Sequence, residues 1–232
     1  MWRYTSAAKC YISKLSDTPK GYFMRKLALI SIAGLLLIAG CNDSKKPDAA
    51  NFTKTINQYL ARHGQACTFF AQTFPIDIPA SALMDQYGTA PQMAALELAG
   101  LVHGSNTTAV IHGMMGALGP SAPRPVRRYE LTDEGRKYFQ VKPGVFGQNS
   151  AFCYGQETVD SIVKWTEPAT MGPYTQSEVT YTYKIADLAP WAKRADVQQA
   201  FGDIRTTVSG ISKANEMAGL QLANKGWEVP AP

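Results

Sequence analysis

The sequence predicts an α+β protein, a helical N-terminal part followed by a small antiparallel sheet with a packed helix. Three observations predict it. Phe52, Ile56, Tyr59, Leu60, His63, Cys67 and Phe70 recur mostly three or four residues apart, the period of an amphipathic helix. Val179, Tyr181, Tyr183 and Ile185 alternate with Glu178, Thr180, Thr182 and Lys184, the period of a strand with one apolar face. The 232 residues are 45% hydrophobic and 18% charged, which excludes a disordered or collagen-like chain and supplies enough apolar surface for a core. Only one long apolar run exists, so the chain is not a polytopic membrane protein.

In chain order, residues 1–40 read as an export signal. Met24-Arg25-Lys26 precede Leu27 to Gly40, an uncharged run of Leu, Ile, Ala, Gly and Ser that is shorter than the ~20 residues a spanning helix needs. The signal peptide is read as 24–40. Residues 1–23, which hold no apolar run, are read as lying upstream of the true start. The run closes on Ile38-Ala39-Gly40-Cys41. In this order of basic, apolar and small residues before a cysteine, the segment resembles bacterial lipoprotein precursors and their lipobox. The resemblance implies that Cys41 becomes the first residue and carries lipid on its thiol and an acyl chain such as palmitate on its amine. Two or more chains anchor stably where one does not. It also implies a place in the bacterial cell envelope. Asn42, where an aspartate would mark the inner membrane, favours the outer membrane with the body facing the periplasm. Asn42 to Asn51 is polar and aperiodic, so 41–51 reads as a lipidated, flexible tether.

The net charge of +5 belongs to the signal segment. Residues 1–40 hold six basic residues against Asp17, while 41–232 hold 17 of each sign. The sequence pI of about 9 therefore says nothing of the mature chain. Of four cysteines, Cys10 leaves with the signal and Cys41 is acylated. Cys67 and Cys153 remain in an oxidising compartment, where a disulfide is the default. The competing reading is a nucleophilic Cys153 in Phe152-Cys153-Tyr154-Gly155, served by a histidine base.

The first part of the body, 52–145, begins with the helix expected over 52–72. Phe74 to Pro79 breaks it. A short helix is expected over 80–87 and another from Thr89 to Gly100, with Thr89 as cap. Val110 to Leu118, apolar with three glycines, takes no clear type. Arg127 to Leu131 reads as a strand, and Thr132 as the cap of a helix whose first turn holds Asp133 and Glu134. Leu98-Ala99-Gly100-Leu101-Val102, a loop, then Tyr129-x-Leu-Thr-x-x-Gly-Arg-Lys-Tyr138 resembles winged-helix domains over residues 80–140. There a helix ends in Ala-Gly-Leu-Val, a β-wing follows, and the returning strand enters a helix through Leu-Thr. Gly135, inside that helix's first turn, reads as a site of close packing on the strand that carries Leu131.

In the second part, 146–232, strands are expected over 158–165 and 177–186 and a helix over 188–201, with Leu188, Trp191, Val197 and Phe201 inward. Gly219 to Glu228 echoes the spacing of Leu131 to Gly135, one echo being too little for a repeat.

No nucleophile elbow, zinc-peptidase, phosphate-loop or dinucleotide fingerprint occurs. His103 and His112 make half a zinc site at best, so no metal and no cofactor are expected. Arg127, Arg128, Arg136 and Lys137 form a candidate patch for an acidic partner or lipid headgroups. Nucleic acid is not expected as a partner, because an exported chain does not meet it and the mature charge is balanced. The expected function is that of an envelope lipoprotein acting without catalysis, by binding a protein, lipid or glycan. The alternatives are an envelope hydrolase with dispersed catalytic residues and a periplasmic inhibitor or immunity protein.

Overall fold

Asp48 starts the first helix by accepting the Asn51 N–H on its carboxylate at 3.0 Å. In the computed structural model, which describes residues 43–70, 72–110, 122–144 and 147–230, this helix is α1, Ala49–His63. It buries Phe52, Ile56 and Leu60, one residue every four. The helix expected over 52–72 therefore ends nine residues early. After Gly64 the chain runs on as β1, Gln65–Phe70, where Ala66 and Thr68 are buried and their neighbours are more exposed. Over so few residues a period of two can be read as a period of three or four. Cys67 and Phe70 were such coincidences.

The preceding residues correct the flexible tether. Asp43 to Asp48 lie on the body: the Asn51 side-chain amide donates to the carbonyls of Asp43 at 2.8 Å and Lys46 at 3.0 Å. The Ser44 hydroxyl donates to Lys225 O at 2.9 Å, and the Trp227 indole N–H to Lys45 O at 3.1 Å. Polar composition looked like a linker; distant partners fix it.

The large sheet is organised by one long strand. Counting after β1, the strands are β2 (Ile76–Pro79), β3 (Val102–Ala109), β4 (Arg124–Leu131), β5 (Phe139–Gly144), β6 (Gly147–Trp165), β7 (Ala169–Met171), β8 (Tyr174–Ala186), β9 (Asn215–Ala223) and β10 (Gly226–Glu228). The large sheet has the order β1-β6-β8-β9-β10, with β5 on β6 and β7 on β8. On one edge of β6, β5 pairs with residues 147–152 and β8 with residues 156–165; β1 takes the other edge. The strand expected over 158–165 is thus the second half of a 19-residue strand. The segments 52–145 and 146–232 share this sheet, because β1 comes from the first and its partner β6 from the second.

A smaller sheet has the order β2-β4-β3. The Phe74–Pro79 break is in part β2, and the helix expected over 80–87 is one 3₁₀ turn, Ala80–Ala82. The helices here are α2, Thr89–Leu98, and α3, Asp133–Tyr138. Thr89 is the first helical residue rather than the cap; Gly88, at φ 83°, precedes it. Gly100, at φ 77°, turns the chain out of α2 as expected. Thr132 caps α3, its hydroxyl accepting the Gly135 N–H at 2.9 Å. The helix expected over 188–201 is two pieces, a 3₁₀ turn at Pro190–Lys193 and α4, Ala195–Ala200, and a further helix, α5, Gly202–Gly210, follows them. Extended backbone at Arg194 and Phe201 separates them, so that Trp191, Val197, Phe201 and Ile204 all turn inward. The echo at 219–228 is the β9–β10 hairpin and has no likeness to the strand-to-helix turn at 131–135.

The α+β reading thus stands, as helices packed on antiparallel sheets. Two cores result. In one, Phe52, Ile56 and Leu60 of α1 cover Val159, Val179, Tyr181, Tyr183 and Leu220 of the large sheet, with Trp227. In the other, Met93 and Leu96 of α2 meet Leu101, Phe152, Trp191, Phe201 and Ile204. Each large side chain so buried stabilises the fold by roughly 1.5–3 kcal/mol before entropy is charged against it.

Candidate functional site

The two remaining cysteines lie opposite each other. In the register of β1 on β6, Cys67 faces Cys153, with their Cα atoms 3.9 Å apart, and they form a disulfide. Adjacent antiparallel strands bring directly opposed side chains within reach of such a bond. The thiol of Cys153 is consumed, and the nucleophile reading loses its nucleophile.

The four basic residues are each held by a carboxylate. Arg127 donates to Glu97 of α2 at 2.7 Å, and the same carboxylate accepts the Gly104 N–H at 3.0 Å. Arg127 also stacks 5.5 Å over the Tyr129 ring. Arg128 makes a two-pronged pair with Asp77 of β2, both bonds 2.7 Å. That guanidinium holds the Asp77 carboxyl below its ordinary range. Arg136 pairs with Asp133, and Lys137 with Glu134, one turn back on α3. The four do not converge: Arg127 leans to α2, Arg128 to β2, and the other two serve their own helix.

Unmatched cations lie elsewhere. A polar cleft of about 340 Å³ opens between α1 and the β9–β10 hairpin, lined by Lys54, Gln58 and Arg62 on one side and Lys225, Trp227 and Glu228 on the other. Lys54, Gln58 and Arg62 are four residues apart and so share one stripe of α1. Among the described residues Lys54, Arg62 and Lys225 make no ion pair. The sequence carried the stripe, but not the hairpin that closes it. On the sheet beneath α1, Glu157 lies near Glu216. Burial first, and that neighbour second, hold the Glu157 carboxyl above its usual range. Burial, with both carboxylates adding, pushes the Tyr181 phenol up to about 12.

Large apolar side chains are exposed at several places, among them Phe69, Met84 and Met217, and two places hold a pair. Tyr87 and Leu98 line a groove of about 290 Å³ between α2 and α4, with Pro91, Ala94 and Ala200. Met171 and Tyr174 form the tip of the β7–β8 hairpin. Among the described residues no group of three or more metal-binding side chains converges, and no helix is long and apolar enough to cross a membrane. His103 is exposed on β3, opposite Glu130. His112, most of the Val110–Leu118 run and Cys41 lie outside the described residues.

Compared with known proteins, the chain matches no family model, no curated protein and no solved structure.

Proposed function

We propose that this chain is an envelope lipoprotein, held through acylated Cys41 in the outer membrane, whose body faces the periplasm and acts by binding rather than by catalysis. The observation that carries the reading is the Cys67–Cys153 disulfide. It suits an oxidising compartment and leaves neither body cysteine free as a nucleophile. The start of the fold is in keeping with it. The contacts that Asp43 and Ser44 make with the body lie after Cys41, so cleavage before Cys41 would leave them whole. The exposed Tyr87 and Leu98 at the α2–α4 groove supply an apolar face for a partner.

Residues 80–140 serve in this reading as a winged-helix-like structural module. Its support is the order of parts: α2 ends at Ala99-Gly100-Leu101-Val102, β3 and β4 form a hairpin, and β4 enters α3 through Leu131-Thr132. Nucleic-acid binding is not part of the proposal. α2 carries Glu97 as its one charged residue, and Arg127 and Arg128 are engaged by carboxylates.

The test is fractionation and intact mass of the full-length protein beside Cys41→Ala. The native protein is expected in the outer membrane, with the mass of an acylated chain beginning at Cys41 and no thiol that reacts without reductant. The variant is expected to lose the lipid mass and the membrane. An unchanged fraction and mass in the variant, or two reactive thiols in the native protein, would sink the reading.

A further inference from the structure

We propose that the end of the large sheet formed by the β7–β8 hairpin is a second membrane contact, with Met171 and Tyr174 seated in the headgroup region of the bilayer that holds Cys41. The inference rests on the anchor proposed above.

The register of the strands fixes which parts share that end. Met171 pairs with Tyr174 across the Gly172-Pro173 turn, and Ala169 with Gln176. Gln176 in turn pairs with Gln221, and Leu222 with Trp227. The turn between β7 and β8 and the turn between β9 and β10 therefore leave the sheet in the same direction. Ser44 and Lys45 are bonded to Lys225 and Trp227, at the second of these turns. The chain thus joins the body at the end where the hairpin stands. Cys41 is two residues before Asp43, so its reach from that point is about 7 Å. An anchor on so short a lead holds this end of the sheet against the bilayer.

The hairpin tip has the composition for that seat. Ala169 to Tyr174 are all exposed; Met171 is 75% and Tyr174 52% accessible. Gly172, at φ 60°, makes the two-residue turn that lets both side chains stand at the tip. In water this apolar surface gains nothing. At an interface the thioether enters the acyl boundary, and a tyrosine keeps its ring in apolar surroundings and its hydroxyl in water. Charges of both signs are mixed at this end, with Lys45, Lys46, Lys54 and Lys225 among Asp43, Asp48, Glu167, Glu178 and Glu228. The contact is therefore apolar and only weakly dependent on salt or on anionic lipid.

The experiment places a tryptophan at either end of β6 in the full-length, processed protein. Met171→Trp is at the hairpin tip. Phe69→Trp is at another exposed site, on β1 by the opposite end of β6. Each is reconstituted into neutral phosphatidylcholine vesicles with and without bromines on the acyl chains, and the native protein supplies the background of its own tryptophans. The added emission of Met171→Trp is expected to shift to the blue and to be lost to the brominated chains, in low and high salt alike. The added emission of Phe69→Trp is expected to stay. If mass spectrometry shows Cys41 acylated and the two variants are quenched alike, or neither is, the hairpin contact is wrong and the anchor stands. If Cys41 carries no lipid, the anchor fails and the contact falls with it.

Discussion

The small sheet with α2 and α3, and the α1 layer on the large sheet, treat charge in opposite ways. In the first, Arg127, Arg128, Arg136 and Lys137 each meet a carboxylate. In the second, Lys54, Arg62 and Lys225 line an open cleft without one, and Glu157 sits near a like charge. The residue types are the same; strand register decides the difference. Ile76 on Tyr129 sets Asp77 opposite Arg128, and the return of β3 from α2 sets Glu97 beside Arg127. Strand β10 brings Glu228 to the same cleft, but not within ion-pair distance of Lys54 or Arg62. A run of basic residues in a sequence therefore does not mark a free basic surface, and scattered ones can make it.

The largest effect is expected in the large sheet, where the disulfide joins β1 to β6. The disulfide closes an 86-residue separation, for which the chain-entropy estimate is about 4–5 kcal/mol, an upper figure. Cys67→Ser and Cys153→Ser should lower thermal stability by similar amounts, and the double variant should add little, since one bond is lost in each case. Additive losses in calorimetry would mean that the cysteines act apart.

Next comes the close approach that holds α3 in the charge-paired region. A Cβ on Gly135 would stand 1.9 Å from the carbonyl oxygen of Leu101. The packing expected at Gly135 thus exists, but against the end of α2 rather than against the strand carrying Leu131. Even Gly135→Ala should destabilise the fold by about 1–3 kcal/mol in denaturant titration, as an overpacked site does. A variant as stable as the native chain would show that α3 can move aside at no cost.

The smallest effects concern pH and have opposite signs in the two regions. Asp77 has a lowered pKa in the fold, so its pair with Arg128 stabilises above the ordinary carboxylate value near 3.8 and is lost as pH falls through the lowered one. Asp77→Asn should flatten that acid limb of melting temperature against pH. Glu157 has a raised pKa, so the fold binds its proton more tightly than the unfolded chain does. Its cost is present above the raised value and relieved as pH falls through it, and Glu157→Gln should be the more stable protein at neutral pH. Melting curves of both variants that parallel the native one would leave the two regions electrostatically alike.

Legibility followed the range of the interactions. Asp133 and Glu134 after Thr132 and Gly100 after α2 are local patterns, and each appears as read, whereas the alternation in β8 marked the strand but not its faces, since Thr180 and Thr182 opposite the apolar face are buried as well. The disulfide was reached by counting, because compartment and parity need no geometry. The helix expected over 188–201 had the right inward residues but the wrong continuity. Periodicity reports which side chains are buried, not where Arg194 and Phe201 straighten the backbone. Of the surfaces argued from, the arginines were legible as residues but not as pairs, and the cleft and hairpin tip were not legible at all.

The sequence alone determined the class of fold, the capped and glycine-ended helices and the identity of the two cysteines that pair. These depend on neighbours within a turn or on composition. Tertiary structure decided that Ser44 and Lys45 are bound to Lys225 and Trp227, roughly 180 residues away. It decided that β1 and β6 share a sheet, and that Arg127, Arg128, Arg136 and Lys137 meet carboxylates while Lys54, Arg62 and Lys225 make no ion pair. Each of these is a contact between segments whose sequences carry no mark of one another, made only when burial of the two cores brings them together.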